Sequence, residues 1–302
     1  MASPLASSGL TLPVTLANKI WEKTQRGSIV GQLVGSEPMK FGTSKVMTFT
    51  KRPLAEYVAE GAQKTGSDVA FGVKTVDPHK VQVTTRYDQE VQWLDEDYQL
   101  GVLTEITAAC GDALARALDL GVFHGINPIT GTAAASITQT IAGAGGTTST
   151  VDVAGKTDLE IEEALGNVLT ADFVPNGIAL DPKLAWTLAT QRDTTGRKLY
   201  PELQMTVDPT SFSGLKTSVS NTVSGVPEAA DTGVQGIVGD WSQLMWGIQR
   251  QVPIEKIEYG DPDGLGDLKR KNQIALRAEI VYGWAVMDAS AFSLLKTAVS
   301  GG

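Results

Sequence analysis

The stretch from Asp95 to Asn127 constrains this chain most, because it carries the longest helical pattern in the sequence and has long two-faced strand patterns on both sides. Leu100, Leu103, Thr107, Cys110, Leu114, Ala117, Leu118 and Gly121 recur at three- and four-residue steps, which puts them on one stripe of a helix. Glu105, Asp112, Arg116 and Asp119 lie mostly off that stripe. Asp95, Glu96 and Asp97 crowd the expected start, where carboxylates complement exposed N–H groups, and Gly125 with Pro128 stops it. At 1.5 Å per residue the predicted helix runs about 40 Å. Gly101 and Gly111 fall inside it at a cost of about 1 kcal/mol each relative to Ala, so they are expected to permit close packing or to mark points of flexing.

Before the helix, Val81, Val83, Thr85, Tyr87, Val91 and Trp93 alternate with Gln82, Thr84, Arg86, Asp88, Glu90 and Gln92, the period-two signature of a half-buried strand. Such a strand reaches about 43 Å. A partner lies near the other end of the chain, where Ile274, Leu276, Ala278, Ile280, Tyr282 and Trp284 face one way and Gln273, Arg277 and Glu279 the other. Gln249 to Tyr259 supplies a further strand, and Pro253 within it favours an edge or a bulge. The turn-rich DPDGLGD, Asp261 to Asp267, joins the two. These strands are expected to share one sheet against the long helix, with everything between them inserted as a second domain.

Outside that unit the chain has other textures. Residues 1–40 read as an arm: Val14, Leu16, Ile20 and Trp21 imply a short helix, and Ile29, Val30, Leu33 and Val34 a short apolar piece that needs burial against something else, such as another subunit. Residues 43–80 read as a long projecting hairpin, out along Lys45 to Arg52 and back along Phe71 to Val76, with PLAEYVAEGAQKTGSD between. In the inserted region, residues 131–157 are rich in Gly, Ala, Ser and Thr. Helices are predicted at Thr157–Leu169, capped by Thr157 or Asp158, and at Pro182–Thr190, opening on proline. Ile178–Leu180 and Ile237–Trp246 are predicted strands, Asp193–Gly196 a turn and Gly225–Gly236 a loop.

Composition excludes several classes of function. With 302 residues and ordinary hydrophobic content the chain can bury a substantial core. A net charge of −9 argues against a basic nucleic-acid-reading surface, the one cysteine, Cys110, removes disulfides, and no apolar run approaches a membrane span or a signal peptide. Catalytic motifs are thin. His79 and His124 are the only histidines and nothing in their setting assembles a triad or a metal site. AGKT at 154–157 imitates the end of a P-loop, but Thr150 stands where its first glycine belongs, and a helix cap is the plainer reading. Asp261, Asp263 and Asp267 could attract calcium, yet their spacing is not an EF-hand and a solvated turn is favoured. No cofactor, metal or catalytic residue is therefore assigned, and the chain is not read as an enzyme.

AEYVAEGA at 55–62, Phe71, VDPHKVQVTTRYDQE at 76–90, the helix ending ALARALDLGVFHG, GDW at 239–241 and NQIALRAEIVYGWAVMDASAF at 272–292, in that order and spacing, resemble the major capsid proteins of tailed double-stranded DNA bacteriophages. The resemblance covers nearly the whole chain. It implies an α+β, HK97-like capsid fold with an N-terminal arm (1–40), an extended E-loop hairpin (41–80), a P-domain with a long spine helix on an antiparallel sheet (81–125 and 247–283) and an A-domain (126–246 and 284–302). It implies self-assembly as hexamers and pentamers into an icosahedral shell around the phage genome, held without sequence-specific recognition, in a virion assembled in the bacterial cytoplasm. Implied partners are further copies of the chain, a portal, a decoration protein and, since the sequence starts almost at the arm, a separate scaffolding protein. Trp21, Lys51, Arg52, Tyr57, Glu60, Lys64 and Phe71 are the expected inter-subunit residues, and Gly101 and Gly111 the spine-helix flex points. Some members of the family join an E-loop lysine to an asparagine with help from a glutamate; Lys64 or Lys74, Asn272 and Glu279 would be the counterparts, with exposed solubilising side chains the plainer alternative. An encapsulin-type compartment shares the fold, and a nucleotide-dependent enzyme, resting on AGKT alone, is the rival from another class.

Overall fold

The computed structural model describes residues 27–51, 53–98, 101–142, 148–155, 157–200 and 210–297. In chain order its elements are α1 (Ile29–Leu33), β1 (Ser44–Lys51), β2 (Ala70–Asp88), α2 (Gln89–Tyr98), α3 (Val102–His124), β3 (Ile126–Asn127) and β4 (Thr132–Ala133). There follow β5 (Ser149–Asp152), α4 (Thr157–Thr170), β6 (Gly177–Leu180), α5 (Pro182–Thr190), β7 (Ser211–Phe212), β8 (Leu215–Val219) and β9 (Val234–Gly239). The last are β10 (Leu244–Ile257), β11 (Gln273–Val286) and β12 (Phe292–Lys296). Two sheets organise them, one of four strands in the order β1-β2-β11-β10 and one of six in the order β5-β12-β9-β6-β8-β7.

The first sheet joins the strand near residue 81 to the two near the C-terminal end, as their patterns require. Its central strand departs from expectation at both ends. β2 is one unbroken run of 19 residues, so the boundary expected at residue 80 falls inside it. Ala70 to Val76 pair with β1, and Asp77 to Asp88 pair with β11. This change of partner lets the β1–β2 hairpin leave the body as a two-stranded ribbon. At the other end β2 stops at Asp88 and not at Trp93, because β11 begins at Gln273, directly opposite Asp88, and offers no ladder beyond. Val91 and Trp93 therefore ride on α2. β10 starts at Leu244, taking in residues expected to continue the strand from Ile237; that strand, β9, ends at Gly239 and a short turn at Trp241–Gln243 separates them. β10 is an edge strand and its register shifts between Val252 and Glu255, around Pro253, which cannot donate to a ladder.

The long helix is two helices. Gly101 adopts φ 71° and ψ 16°, a left-handed conformation that no right-handed helix can pass through, and its carbonyl accepts from the Glu105 amide at 3.0 Å as α3 begins. Gly101 is thus the joint between α2 and α3 and not a flex point within one rod. Gly111 does lie inside α3, where it is buried. Gly125 stops α3 as expected, its amide donating to Gly121 O at 3.0 Å. The 23 residues of α3 reach about 35 Å. From Leu114 to Phe123 almost every residue but Arg116 is buried, so this half is covered all round and shows no single apolar stripe.

The six-stranded sheet has two covered faces. Ile178, Leu180, Val238 and Leu295 pack with α4 and α5, while Ala179, Ile237 and Leu294 turn to the core around α3. That larger core is continuous across both sheets and includes Phe123, Trp241, Trp246, Tyr282, Trp284 and Phe292. α4, β6 and α5 lie where their patterns place them, with the Asp181 side chain capping α5 through the Lys183 amide at 2.8 Å.

Part of the segment expected to be an arm packs on its own chain. Ile29 and Val30, expected to need a neighbour, are buried within this chain. Trp246 Nε1 donates to Val34 O at 3.0 Å and the Glu37 amide to Trp246 O at 2.9 Å. Residue 247 is glycine because a Cβ there would stand 2.0 Å from Glu37 O. The helix predicted at Val14–Trp21 lies outside the described residues.

These two accounts of Gly101 predict opposite effects of Gly101→Ala. In a helix interior alanine would stabilise by about 1 kcal/mol. At a left-handed cap it destabilises by about 1 kcal/mol, the outcome expected in urea unfolding of the soluble chain.

Candidate assembly interface

The ribbon has an apolar face that its own chain does not cover. Met47 stands opposite Val73, and Phe71 lies two residues along β2 on the same face. These three side chains are 70%, 57% and 57% exposed for Met47, Val73 and Phe71. Beyond the ribbon, residues 53–69 continue as two limbs tied by side chains: Lys51 Nζ to Asp68 at 3.1 Å, the Leu54 amide to Ser67 Oγ at 2.7 Å, the Thr65 amide to Glu56, and a turn in which the Ala62 amide donates to Ala59 O at 3.0 Å. The limbs touch each other and stay exposed along their length, Leu54 and Tyr57 included.

Of the residues expected to meet neighbours, Tyr57, Glu60, Lys64 and Phe71 are exposed on this projection. Lys51 is exposed but pairs with Asp68 of its own loop. Trp21 and Arg52 lie outside the described residues.

A polar joint that the stripe pattern does not indicate lies at the buried half of α3. Asp119, off the predicted stripe, is fully buried. Ser28 Oγ and the Val30 amide donate to its Oδ1, and the Ile29 amide and Thr222 Oγ1 donate to its Oδ2, both at 3.0 Å. Neighbouring turns of α3 grip the same segment: Arg116 holds Glu228 in a two-pronged pair and bonds Asn221 Oδ1 at 2.6 Å and Val226 O at 3.1 Å, and His124 Nε2 lies 2.8 Å from Val223 O. Burial raises the Asp119 carboxyl to about 6, against the four donors that pull it down. Tyr282, buried beside that charge, has its phenol pushed up, by burial first and by Asp119 second. The signal in the sequence was an acid within ALARALDLGVF, a run apolar apart from Arg116, preceded far upstream by a serine in front of IVGQL.

The groups that resembled chemical sites are occupied by their own chain. Arg86, nearly buried, pairs with Asp261 and Asp263 and bonds Gly266 O at 3.0 Å, so a guanidinium sits where a calcium ion would have to, while Asp267 caps the Arg270 amide at 2.9 Å. Glu160 accepts from the Ala154 amide at 2.6 Å, placing a carboxylate where the AGKT stretch would need a phosphate. His79 stacks on Trp284 with ring centres 4.2 Å apart, and burial lowers the pKa of both histidines. Lys64 and Lys74 are on the ribbon, but Asn272 Nδ2 donates to Glu90 at 2.7 Å, whereas Glu279 pairs with Lys80 at 2.9 Å, about 23 Å along β11. Glu90, not Glu279, attends Asn272.

No helix among the described residues is long and apolar enough to cross a membrane. A continuous buried core with a projecting ribbon whose apolar face stays exposed defines a structural subunit completed by other molecules. The sequence pattern of the phage capsid family matches residues 8–297, and the chain belongs to that family, a structural and not a catalytic one, whose members are parts of the virion. A solved chain from Mycobacterium phage Ogopogo is 44% identical with a TM-score of 0.81, covering 90% of this chain and 92% of that one. One from Gordonia phage Cozz is 36% identical with a TM-score of 0.79, covering 90% and 87%. The "Probable major capsid protein gp17" of Mycobacterium phage D29 is 25% identical over 299 residues, 95% of this chain and 90% of its own length. The α+β phage capsid fold implied by the sequence motifs is the fold observed.

The Asp119 joint makes a signed prediction. A folded value of about 6, above the ordinary 3.8, means the folded chain holds this proton more tightly than the unfolded one. The group's contribution is therefore complete below about pH 4 and is lost as pH rises to about 6, by roughly 2–3 kcal/mol. In Asp119→Asn that slope should vanish from urea-derived stabilities between pH 4 and 6. Its amide, facing two donors, should cost about 1–3 kcal/mol at neutral pH.

Proposed function

We propose that this chain is the major capsid protein of a tailed double-stranded DNA phage, assembling as hexamers and pentamers into an icosahedral shell around the genome. The observation that carries this reading is the β1–β2 ribbon with its extension through residues 53–69, an elongated projection with an apolar face that the body of the same chain leaves bare. Burying the remainder of Met47, Phe71 and Val73 on a neighbour would contribute roughly 3 kcal/mol per subunit. Exposed ion pairs add about 0–1 kcal/mol each, so stability comes from many repeated contacts. In this reading residues 1–40 are the arm and 41–80 the E-loop, sharing β2 with a P-domain of 81–125 and 247–283, and the A-domain is 126–246 and 284–302. Trp21, Lys51, Arg52, Tyr57, Glu60, Lys64 and Phe71 meet neighbouring copies. Gly101 serves as a swivel at the head of α3, with Gly111 a softer point inside it. Assembly takes place in the bacterial cytoplasm with a separate scaffolding protein, a portal at one vertex and a decoration protein outside.

Electron microscopy and sedimentation of the chain expressed together with its scaffolding protein test this, with closed shells expected; a stable monomer at all concentrations would refute it. Nuclease-protected double-stranded DNA in particles from infected cells is expected, and cargo enzyme in its place would point to an encapsulin-type compartment. The triple variant Met47→Ser, Phe71→Ser, Val73→Ser should leave the monomer's unfolding within about 1 kcal/mol of the parent, since these side chains are already exposed, and should abolish shells.

A further inference from the structure

Two patches of unpaired, opposite charge lie on the layer formed by α4, α5 and the six-stranded sheet. The solvent face of α4 presents Glu162 and Glu163 beside Leu159, which is more than half exposed. This helix contains Asp158, Glu160, Glu162 and Glu163 and no basic residue. Asp158 and Glu160 are engaged at home, by Gln191 and by the Ala154 amide. Glu162 and Glu163 point outward.

The opposite charge follows α5. Residues 191–200 double back as a hairpin, with the Leu199 amide donating to Gln191 O and the Asp193 amide to Arg197 O. Arg192 and Arg197 are exposed on it, Lys198 is half-buried, and Leu199 is exposed beside them. The hairpin's one acid is spent internally. Asp193 accepts from the amides of Thr195 and Arg197 and from the Thr195 hydroxyl, so its charge is turned into the loop. Among the described residues Glu162, Glu163, Arg192, Arg197 and Lys198 join no ion pair, whereas the nearby Lys183 is paired with Asp231.

The patches are carried by different elements of this layer. α4 packs over β12, β5 and β9, towards one end of the sheet. The hairpin ends on Tyr200, whose ring packs against Phe212 of β7, the edge strand at the other end, with ring centres 5.2 Å apart. The first turn of α4 meets the hairpin's root, where both Gln191 and Tyr200 bond Asp158. Two complementary patches that form no ion pair with one another within a subunit suit a head-to-tail contact between copies, and such a contact makes a ring where its rotation closes.

We propose that the Leu159–Glu162–Glu163 face of α4 in one subunit docks on the Arg192–Arg197–Lys198 hairpin of the next copy around each capsomer. This rests on the shell reading above and names the surfaces that form its rings. Leu159 and Leu199 supply apolar contact between the charges, and the unmatched like charges of any other pairing of these patches disfavour wrong docking.

Charge exchange tests it. Three full-length variants are compared with the parent by sedimentation velocity and electron microscopy: Glu162→Lys with Glu163→Lys, Arg192→Glu with Arg197→Glu, and all four together. Each pair of reversals should lower the yield of closed particles by about tenfold or more, because attraction becomes repulsion at every copy of the contact. The fourfold variant should recover most of the parental yield. Normal assembly by either pair, or no recovery in the fourfold variant, overturns the proposal. Should a reversal impair folding, as read by circular dichroism, Glu162→Gln with Glu163→Gln takes its place. It is expected to assemble less well and with less sensitivity to salt than the parent, and parental salt dependence would overturn the proposal. Failure of the parent itself to form particles would strike the shell reading, while a parent that assembles alongside indifferent variants removes only this contact.

Discussion

The buried carboxylate of Asp119 holds the molecule's three parts in one place. Its two oxygens gather the hydroxyl and amides at the start of α1 and the hydroxyl of Thr222, so the arm, the long helix and the turn leading to β9 meet at a single group. A buried charge is costly unless its lone pairs are satisfied, which makes such a joint specific about what it accepts. Arg116 and His124 extend the same seam along α3, both bonding the segment between Asn221 and Glu228. With α3 gripped along its buried half, the two sheets share one core and the helix acts as a strut between them.

Against that packed core the ribbon is the part left exposed. β2 pairs with β11 for its second half and with β1 for its first, so one strand both builds the body and carries the projection away from it. A change of partner within a continuous strand fixes the ribbon's direction rigidly at its base. The tip is held by side chains reaching across the loop and by one backbone turn at Ala59–Ala62. The projection therefore has a strand-paired base and an exposed loop at its end.

Polar groups that looked like sites in the sequence serve as internal fasteners. Arg86 binds the Asp261–Asp263 turn down on the sheet, Glu160 secures the entry to α4, and Asn272 is tied to Glu90 where β11 begins. A structural shell protein needs exact angles between its elements, and charge-assisted bonds supply them directionally where apolar contact cannot.

The sequence by itself determined the repetitive parts. Period-two alternation placed the inner half of β2 and β11, Pro182 opened α5, Gly125 closed α3, and motif order carried the family. Local pattern misjudged what depended on a distant partner. Residues 89–93 suit helix or strand, and the absence of anything opposite them on β11 made them helix. Gly101 reads as a tolerated helix glycine until its positive φ is seen, and Asp119 reads as a solvent-facing acid until four donors from residues some ninety to a hundred positions away converge on it. Periodicity reports which face of an element is apolar, because that depends on neighbours a few residues off. Which face is buried, and by what, is settled only when the chain brings remote segments together.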